Sequence, residues 1–293
     1  MKPEMKPCFD ALANALHNVC NGRPVVLFLN HGNWGDSLIR EGAEAFLNNY
    51  GFRYYMVKVF DVKKGKVSLQ QVKERLSHSD PVAVFNGGGS YDPRYNRLPF
   101  LRQLALEFSS NVFLPASYPK GMSDGFPEDS IYYARDKGQS LNNVSEARFC
   151  HDMAFFINPN NTSSTRKVGA FMREDGERPK HTFIPLRNRD ISKEGRAHTP
   201  VKRFLREISR YETIYTNRLH VCIGAALLGR RVHFFPNDYF KNEMVFEASM
   251  KPNYPNVIFE RNYDQLAGIS PDQHSFVYRF KNLKKKKGAS GDT

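Results

Sequence analysis

Cysteine is scarce in this chain and widely spaced. The four cysteines among 293 residues are Cys8, Cys20, Cys150 and Cys222, and no two of them form a C-x-x-C pair. Structural zinc sites and disulfide frameworks need clustered cysteines, so this spacing argues against both. No other set of ligand-type residues has metal-binding spacing. We therefore expect a reduced, cytoplasmic compartment and neither a metal nor another cofactor.

Long apolar runs are also missing. The strongly apolar stretch at residues 221–229 is far shorter than the roughly 18 residues that a membrane-spanning helix needs. Residues 1–10 contain Lys2 and Lys6 but no apolar signal-peptide core. We therefore expect neither a membrane span nor a secretory signal. A hydrophobic content of 40% with 25% charged residues is instead typical of a chain that buries a core.

Acidic residues are outnumbered by basic ones. Lys and Arg total 43 against 30 Asp and Glu, a formal net charge of +13. Residues 281–293 hold five lysines and one aspartate, so the rest of the chain still carries +9. The excess therefore belongs mainly to the folded body. Such a balance favours anionic partners: phosphorylated metabolites, nucleic acid or an acidic membrane face.

Short apolar runs alternate with amphipathic stretches along most of the chain. Residues 24–29 (PVVLFL) predict a buried strand, and residues 36–50 have apolar positions at helical spacing. Further strands are predicted at 53–59, 81–85, 111–114, 168–172, 213–216 and 231–235. Further helices are predicted at 69–77, 98–108, 200–208 and 219–228. This alternation indicates a doubly wound, mostly parallel α/β fold.

The alternation is interrupted once. Residues 157–166 (INPNNTSSTR) have no apolar periodicity and consist of turn-forming residues. We therefore predict two Rossmann-like α/β domains facing a cleft, at 1–157 and 166–280. Residues 281–293 are predicted to form a basic, flexible tail.

Two glycine-containing loops follow predicted strands in the first half. In residues 30–37 (NHGNWGDS), Asp36 or Ser37 is a candidate helix N-cap, and Asn33 and Asp36 are candidate site residues. In residues 86–92 (NGGGSYD), three successive glycines leave backbone N–H groups free to bind an anion or a hydroxyl. The candidate site residues of this second loop are Gly87, Gly88, Gly89, Ser90 and Asp92.

Residues 215–220 (YTNRLH) lie at a predicted strand-to-helix junction in the second half. We expect Thr216 or Asn217 to be the N-cap, which places Arg218 and His220 in the first helical turn. The helix dipole disfavours cations there, so their presence points to an anion that shares the site. A solvated arginine and a structural histidine are the alternative interpretation.

Two more candidate cations follow strands of the second half. Arg173 directly follows the predicted strand at 168–172. Lys241 is the last residue of the stretch NDYFK, which comes after the predicted strand at 231–235. Residues 166–210 hold 13 Lys and Arg against six Asp and Glu, which is also typical of a nucleic-acid surface. The aromatic residues there fall in core-like apolar runs, however, so we expect no nucleic-acid partner.

Taken in order, these segments resemble the polysaccharide pyruvyl transferase family. The resemblance covers residues 25–248 and is carried by the following set: NWGD at 33–36, GGG at 87–89, ARD at 134–136, MR at 172–173, TNRLH at 216–220 and NDYFK at 237–241. It implies a fold similar to the two-domain GT-B glycosyltransferases. It also implies transfer of the pyruvyl unit of phosphoenolpyruvate, as a co-substrate, onto a sugar to form a ketal.

The resemblance suggests roles for the candidate residues. Arg173 and Arg218, with Lys241 as a third cation, would bind the carboxylate and phosphate of phosphoenolpyruvate, since arginine makes charge-assisted contacts to both. His220 would be a general acid or a partner of the phosphate, since histidine ordinarily titrates near neutral pH. Asp36 would orient or deprotonate the acceptor hydroxyl. The family often carries an acid where this chain has Asn217.

Further expectations concern partners and alternatives. The lysines at 284–287 suggest peripheral binding to the inner face of a membrane, where lipid-linked saccharide acceptors lie. One rival interpretation is a GT-B-type glycosyltransferase that uses a nucleotide sugar. Another is a non-catalytic protein that binds polyanions. The oligomeric state is left open by the sequence.

Overall fold

A computed structural model describes residues 1–78, 80–160, 163–179, 184–185, 187–263 and 278–279. The predicted basic tail at 281–293 lies outside these residues, so its role stays a prediction. Within the described ranges, no helix is both long enough and apolar enough to cross a membrane. The four cysteines are all free.

The first half of the chain builds a six-stranded parallel sheet in the order β2-β1-β3-β4-β5-β6. Its strands are β1 (Val25–Leu29), β2 (Tyr54–Lys58), β3 (Val82–Phe85), β4 (Asn111–Ala116), β5 (Ile131–Ala134) and β6 (Arg148–Phe149). Its helices are α1 (Lys6–Cys20), α2 (Asp36–Asn49), α3 (Val59–Lys63), α4 (Leu69–Leu76), α5 (Leu98–Ala105) and α6 (Gln139–Asn143). All five residues of β1 are buried, as expected for a strand covered on both faces.

The second half builds a four-stranded parallel sheet in the order β11-β10-β9-β7. Its strands are β7 (Arg166–Phe171), β9 (Tyr211–Thr216), β10 (Arg231–Phe234) and β11 (Val257–Phe259). Its helices are α7 (Val201–Ser209), α8 (Leu219–Leu227) and α9 (Lys241–Val245), the last continuing as a π-helical turn at Phe246–Met250. A short antiparallel pair joins β8 (Ile184–Pro185) to β12 (Tyr278–Arg279). The predicted two-sheet, Rossmann-like α/β fold is thus confirmed.

One continuous hydrophobic core joins the two sheets. The Trp34 indole is 1% exposed, packs edge-on against Phe204 of α7, and donates its N–H to the Pro200 carbonyl. On another side of the core, Phe155 stacks on Tyr254. A second apolar cluster fills the other face of the first sheet. The two sheets share the first of these clusters. The predicted domain bounds of 1–157 and 166–280 stay a prediction.

Two predicted helices start where expected, but their predicted N-caps were wrong by one or two residues. Helix α2 begins at Asp36, with Gly35 as N-cap and no side-chain cap, so neither Asp36 nor Ser37 is the N-cap. Helix α8 begins at Leu219, and Arg218 itself occupies the N-cap position in extended conformation. The candidate cap side chains bond elsewhere: the Asp36 carboxylate accepts the Asn33 backbone N–H, and Thr216 Oγ1 accepts the Arg218 backbone N–H.

Candidate active site

A cavity of about 270 Å³ opens where loops from the two sheets face each other. Loops at the carboxyl ends of β1, β3 and β5 contribute the residues of the first half, and segments that follow β7, β8, β9 and β10 contribute those of the second half. Ligands of doubly wound sheets bind at this end of the strands. The volume is close to the lower end of the roughly 300–1,000 Å³ usual for small-molecule pockets. The cavity therefore suits a small metabolite better than a large cofactor.

The loop after β1 holds Asp36 rigidly at one wall of the cavity. The Asp36 carboxylate accepts a hydrogen bond from the Asn33 backbone N–H at 2.8 Å, and the Asn33 side chain accepts one from Gly35 N–H at 2.8 Å. A Cβ on Gly32 would lie 2.2 Å from the Asp36 carboxylate, so this approach requires glycine. The loop presents a fixed carboxylate, which suits a group that orients a hydroxyl.

Arg218 is held by two carboxylates, one from the segment before β8 and one from the segment after it. Its Nε and Nη2 donate to Asp190 at 2.9 and 2.5 Å, and Nη1 lies 2.7 Å from Asp175. The Arg218 side chain is 4% exposed, so these pairs are largely shielded from water. The guanidinium is consequently fixed in direction and partly neutralised before any ligand arrives.

Arg173 and Lys241 share one buried carboxylate, Glu177. Arg173 pairs with Glu177 and, at 2.9 Å, with Asp175, while the Lys241 ammonium lies 2.9 Å from Glu177. The hydroxyl of Tyr95 donates to the same carboxylate from the first-sheet side. Burial would raise the pKa of Glu177, but Lys241 and Arg173 outweigh it and hold the pKa well below its usual range.

This buried position also shifts the pKa of Lys241. Burial lowers the pKa of Lys241 to about 8, against the opposing effect of Glu177, and the Arg173 charge lowers it further. A lysine titrating this close to neutral pH changes its charge within the working range of most enzymes.

His220 stands between the two sheets beside a buried aspartate. Its Nε2 lies 3.7 Å from an Asp152 oxygen, and a Cβ on Gly35 would lie 3.1 Å from its Nδ1. Burial by itself would raise the pKa of Asp152, but His220 and Arg135 outweigh it and hold the pKa well below its usual range. The Asp152 carboxylate therefore lies beside one ring nitrogen of the His220 imidazole, inside the site.

Arg135 completes this group at the end of β5. Its side chain is fully buried, Nη1 donates to Asp152 at 2.6 Å, and Nε donates to Ser117 at 2.9 Å. Its Nη2 has no hydrogen-bond partner among the described residues. That atom would lie 3.5 Å from a Cβ on Gly89, and the Lys241 ammonium would lie 3.7 Å from the same point. Two cationic donors thus converge on Gly89.

The side chains that line the cavity carry an excess of positive charge. Six cations face three carboxylates there: Arg97, Arg135, Arg173, Arg196, Arg218 and Lys241 against Asp36, Asp175 and Glu177. Asp152 and Asp190 lie behind the lining, in contact with Arg135 and Arg218 respectively. Such a lining attracts a small, multiply charged anion.

Comparison with known proteins gives the family of this chain. A family model for polysaccharide pyruvyl transferase matches residues 33–239, most of the chain. The chain belongs to the polysaccharide pyruvyl transferase family.

One solved structure supports the fold of this pyruvyl transferase. A functionally uncharacterised protein from Klebsiella pneumoniae subsp. pneumoniae NTUH-K2044 superimposes with a TM-score of 0.69. It is 23% identical in sequence, and the match covers 89% of this chain and all of that one. At this identity the likeness concerns the fold alone. No curated protein matches the chain in a sequence search.

Most of the predicted site residues of the pyruvyl transferase meet at one cavity. The residues that line it are Asn33, Asp36, Gly89, Ser90, Arg173, Arg218, His220 and Lys241. The sequence stretches that hold them are separated by up to about two hundred residues, and the fold brings them together because each follows a strand at the same end of a sheet.

The three remaining predicted residues do not line the cavity. Gly87 has no room for a side chain, because a Cβ would lie 2.2 Å from the Pro115 carbonyl, and Gly88 adopts a φ of +104°. Both shape the loop backbone. Asp92 instead pairs with Arg94 and accepts its backbone N–H at 3.0 Å.

Several site residues were missed by sequence reasoning. Arg135 had a signal, since it lies in one of the motifs of the resemblance, directly after a strand. Asp152, Glu177 and Asp190 had none, because their cationic partners are recognisable only in the folded chain. Asn217, where the family often has an acid, accepts the Arg173 backbone N–H at 2.7 Å and thus braces the site from behind.

Among the residues that the structure describes, no group of three His, Cys, Asp or Glu side chains converges as metal ligands would.

Proposed function

We propose that this pyruvyl transferase takes the pyruvyl unit from phosphoenolpyruvate and transfers it to a saccharide as a cyclic ketal. The observation that carries the proposal is the convergence of Arg135 Nη2 and Lys241 beside His220 in a cavity of metabolite size. Phosphoenolpyruvate has a carboxylate and a phosphate on one small skeleton. Two anionic groups on such a skeleton match cations that converge from two sheets.

The donor-binding step engages cations that are already paired. Arg135 Nη2 has a free donor, and the ammonium of Lys241 has donors beyond the one directed at Glu177. We infer that these two groups make the first contacts with the donor. Arg173 and Arg218 add positive potential from fixed positions, and the donor competes with Glu177 for Arg173.

The chemical step then needs an acid and a base on opposite sides of the donor. His220 gives a proton to the methylene carbon of phosphoenolpyruvate, which leaves positive charge at the neighbouring carbon. A saccharide hydroxyl attacks that carbon while Asp36 accepts its proton. A second hydroxyl displaces phosphate by breaking the carbon–oxygen bond and closes the ketal. One proton restores His220 and the other leaves with the phosphate.

The acceptor lies on the first-sheet side in this proposal. Asp36, Asn33 and the Gly89–Ser90 backbone are the polar groups that face the cavity from there. The cytoplasmic location predicted from the reduced cysteines stays a prediction.

Thermal denaturation with candidate donors tests the proposal. Phosphoenolpyruvate should raise the melting temperature, because a ligand that binds only the native state stabilises it. Stabilisation by UDP or GDP but not by phosphoenolpyruvate would favour the nucleotide-sugar glycosyltransferase and overturn our assignment. Steeply salt-dependent binding to heparin without any product would favour the polyanion-binding alternative.

Two substitutions separate binding from chemistry. His220→Asn should still bind phosphoenolpyruvate, while phosphate release in the presence of a saccharide panel should stop. Arg135→Lys keeps the charge beside Asp152 but removes the free Nη2 donor, so phosphoenolpyruvate affinity should fall about 10- to 100-fold, as for loss of one charged hydrogen bond. Full turnover by His220→Asn would exclude the general-acid role, and unchanged affinity in Arg135→Lys would exclude that contact.

A further inference from the structure

A basic and aromatic patch lies beside the cavity mouth, outside the proposed chemistry. It consists of Phe60 and the exposed lysines Lys58, Lys63, Lys64 and Lys66, on α3 and its flanking residues. The sheet order makes β2, which leads into α3, an edge strand. The patch therefore faces outward at the same end of the sheet as the cavity.

The local fold turns Phe60 away from the core. Val59 is buried and Val62 packs on the apolar cluster of the first sheet, so α3 is anchored through these two residues. Phe60 lies on the other side of the helix and is 48% exposed. A single exposed ring is common on protein surfaces, so its meaning here depends on the charged residues around it.

The lysines of the patch are unpaired. Lys58, Lys63, Lys64 and Lys66 form no ion pair with any residue that the structure describes, whereas Lys6, Lys167 and Lys251 each have a carboxylate partner. Lys64 lies over the Phe60 ring at 5.7 Å, and Lys63 lies over Phe100 at 5.7 Å. Asp61 is the one acid between residues 58 and 66. The patch thus combines uncompensated positive charge with exposed apolar surface.

The patch is continuous with the cavity through His31. The His31 side chain lines the cavity, and its ring centroid lies 6.2 Å from that of Phe60. A flat surface touching Phe60 would therefore border the cavity mouth. A surface bound to the patch can therefore present a molecule attached to that surface to the cavity.

We propose that this patch docks the protein on an anionic lipid membrane. The lysines contact the headgroups, and Phe60 enters the boundary between headgroups and acyl chains. Unpaired lysines around an exposed aromatic ring match such a surface, because the lipid supplies negative charge and an apolar layer together. Docking here would bring membrane-anchored acceptors to the cavity mouth. The docking itself does not depend on the proposed reaction.

Vesicle binding of the full chain tests the proposal. Vesicles of phosphatidylcholine with 30% phosphatidylglycerol should sediment the protein at moderate salt, and pure phosphatidylcholine should not. Lys63→Glu/Lys64→Glu should lower the partition coefficient between vesicles and water about tenfold or more. Each basic residue at an anionic surface contributes appreciably to the free energy of binding. Lys120→Glu/Lys202→Glu changes the net charge equally at exposed positions elsewhere and should have a much smaller effect. Equal losses in both variants would overturn the proposal.

Fluorescence tests the insertion of residue 60 directly. The chain has a single tryptophan, the buried Trp34, so Phe60→Trp adds one exposed reporter. Its emission should shift to shorter wavelength with the anionic vesicles and be quenched by brominated acyl chains. Leu106→Trp, at a position 68% exposed in the native chain, is the matched control and should not respond.

The remaining outcomes each overturn the proposal. These are failure of the full chain to bind the anionic vesicles, an unresponsive Phe60→Trp, and strong binding of heparin through Lys63 and Lys64 with vesicle binding unaffected. The last result would assign the patch to a soluble polyanion. Turnover of a soluble acceptor should be the same in Lys63→Glu/Lys64→Glu as in the native chain, so docking and catalysis can fail independently.

Discussion

At the scale of single residues, the site is a balance of buried charges. Each predicted donor-binding cation already holds a carboxylate: Arg218 with Asp190, and Arg173 and Lys241 with Glu177. Buried pairs of this kind cost desolvation, and removing one partner leaves an uncompensated charge. In our proposal the donor takes over part of this compensation from Glu177.

Glu177→Gln tests that exchange. Removing the negative charge leaves Arg173 and Lys241 without their shared partner, so the ligand-free variant should melt at lower temperature. Phosphoenolpyruvate should bind it about tenfold more tightly, because the donor no longer competes with a carboxylate. Calorimetric titration measures the affinity. Glu174→Gln, three positions earlier in the same loop, is the control and should bind phosphoenolpyruvate like the native chain. Weaker binding by Glu177→Gln would contradict the competition and show that the Glu177 carboxylate positions the two cations.

The titration of Lys241 predicts a pH dependence of donor binding. With a pKa of about 8, Lys241 is charged below that pH and neutral above it. The phosphate of the donor loses its last proton near pH 6, so its charge is constant over this range. Phosphoenolpyruvate affinity should therefore fall as the pH rises from 7 to 9. In Lys241→Arg the fall should vanish, because arginine stays protonated; the same fall in that variant would assign the titration to another group.

At the scale of elements, one close contact between a helix and a turn positions the Asp152 carboxylate. Helix α2 packs against the 3-10 turn Met153–Phe156, which directly follows Asp152. Gly42 makes this approach possible, because a Cβ there would lie 1.8 Å from the Met153 carbonyl. Asp152, the N-cap of this turn, carries the carboxylate that faces His220. The position of Asp152 beside His220 thus depends on helix packing as well as on the loops.

Gly42→Ala should disturb both stability and catalysis. The added methyl group must push α2 away from the turn, which costs about 1–3 kcal/mol of unfolding free energy as in other overpacked sites. Urea denaturation measures the loss, and turnover should fall as Asp152 shifts. Gly176→Ala is the control, since nothing lies within 4 Å of its Cβ and its φ is not positive. An unchanged urea midpoint for Gly42→Ala would contradict the packing argument.

At the scale of the whole molecule, the two sheets share one hydrophobic core. The shared core and the burial of Trp34 between loop and helix α7 couple the halves. The loop after β3 adds polar contacts across the cavity, from Arg94 to Asp238 at 2.8 Å and from Tyr95 to Glu177.

Unfolding should accordingly occur in a single transition. Trp34 fluorescence, which reports on the contact between the halves, and far-ultraviolet circular dichroism, which reports on the secondary structure of both, should give coincident urea curves. If the Trp34 transition came clearly earlier than the loss of secondary structure, the halves would separate before they unfold.

The sequence by itself determined the alternation of strands and helices, the family, and the loops in which the candidate residues lie. Apolar periodicity is local, and in a doubly wound sheet the loop after a strand is the place for a ligand, so these inferences need no tertiary contact. Only the tertiary structure decided that Gly87, Gly88 and Asp92 stay out of the cavity and that Arg135, Asp152, Glu177 and Asp190 enter the site or support it. These pairings join residues far apart in the chain, such as Lys241 and Glu177 or Arg218 and Asp190. Which cation meets which carboxylate depends on the packing of two sheets, and no local pattern encodes it.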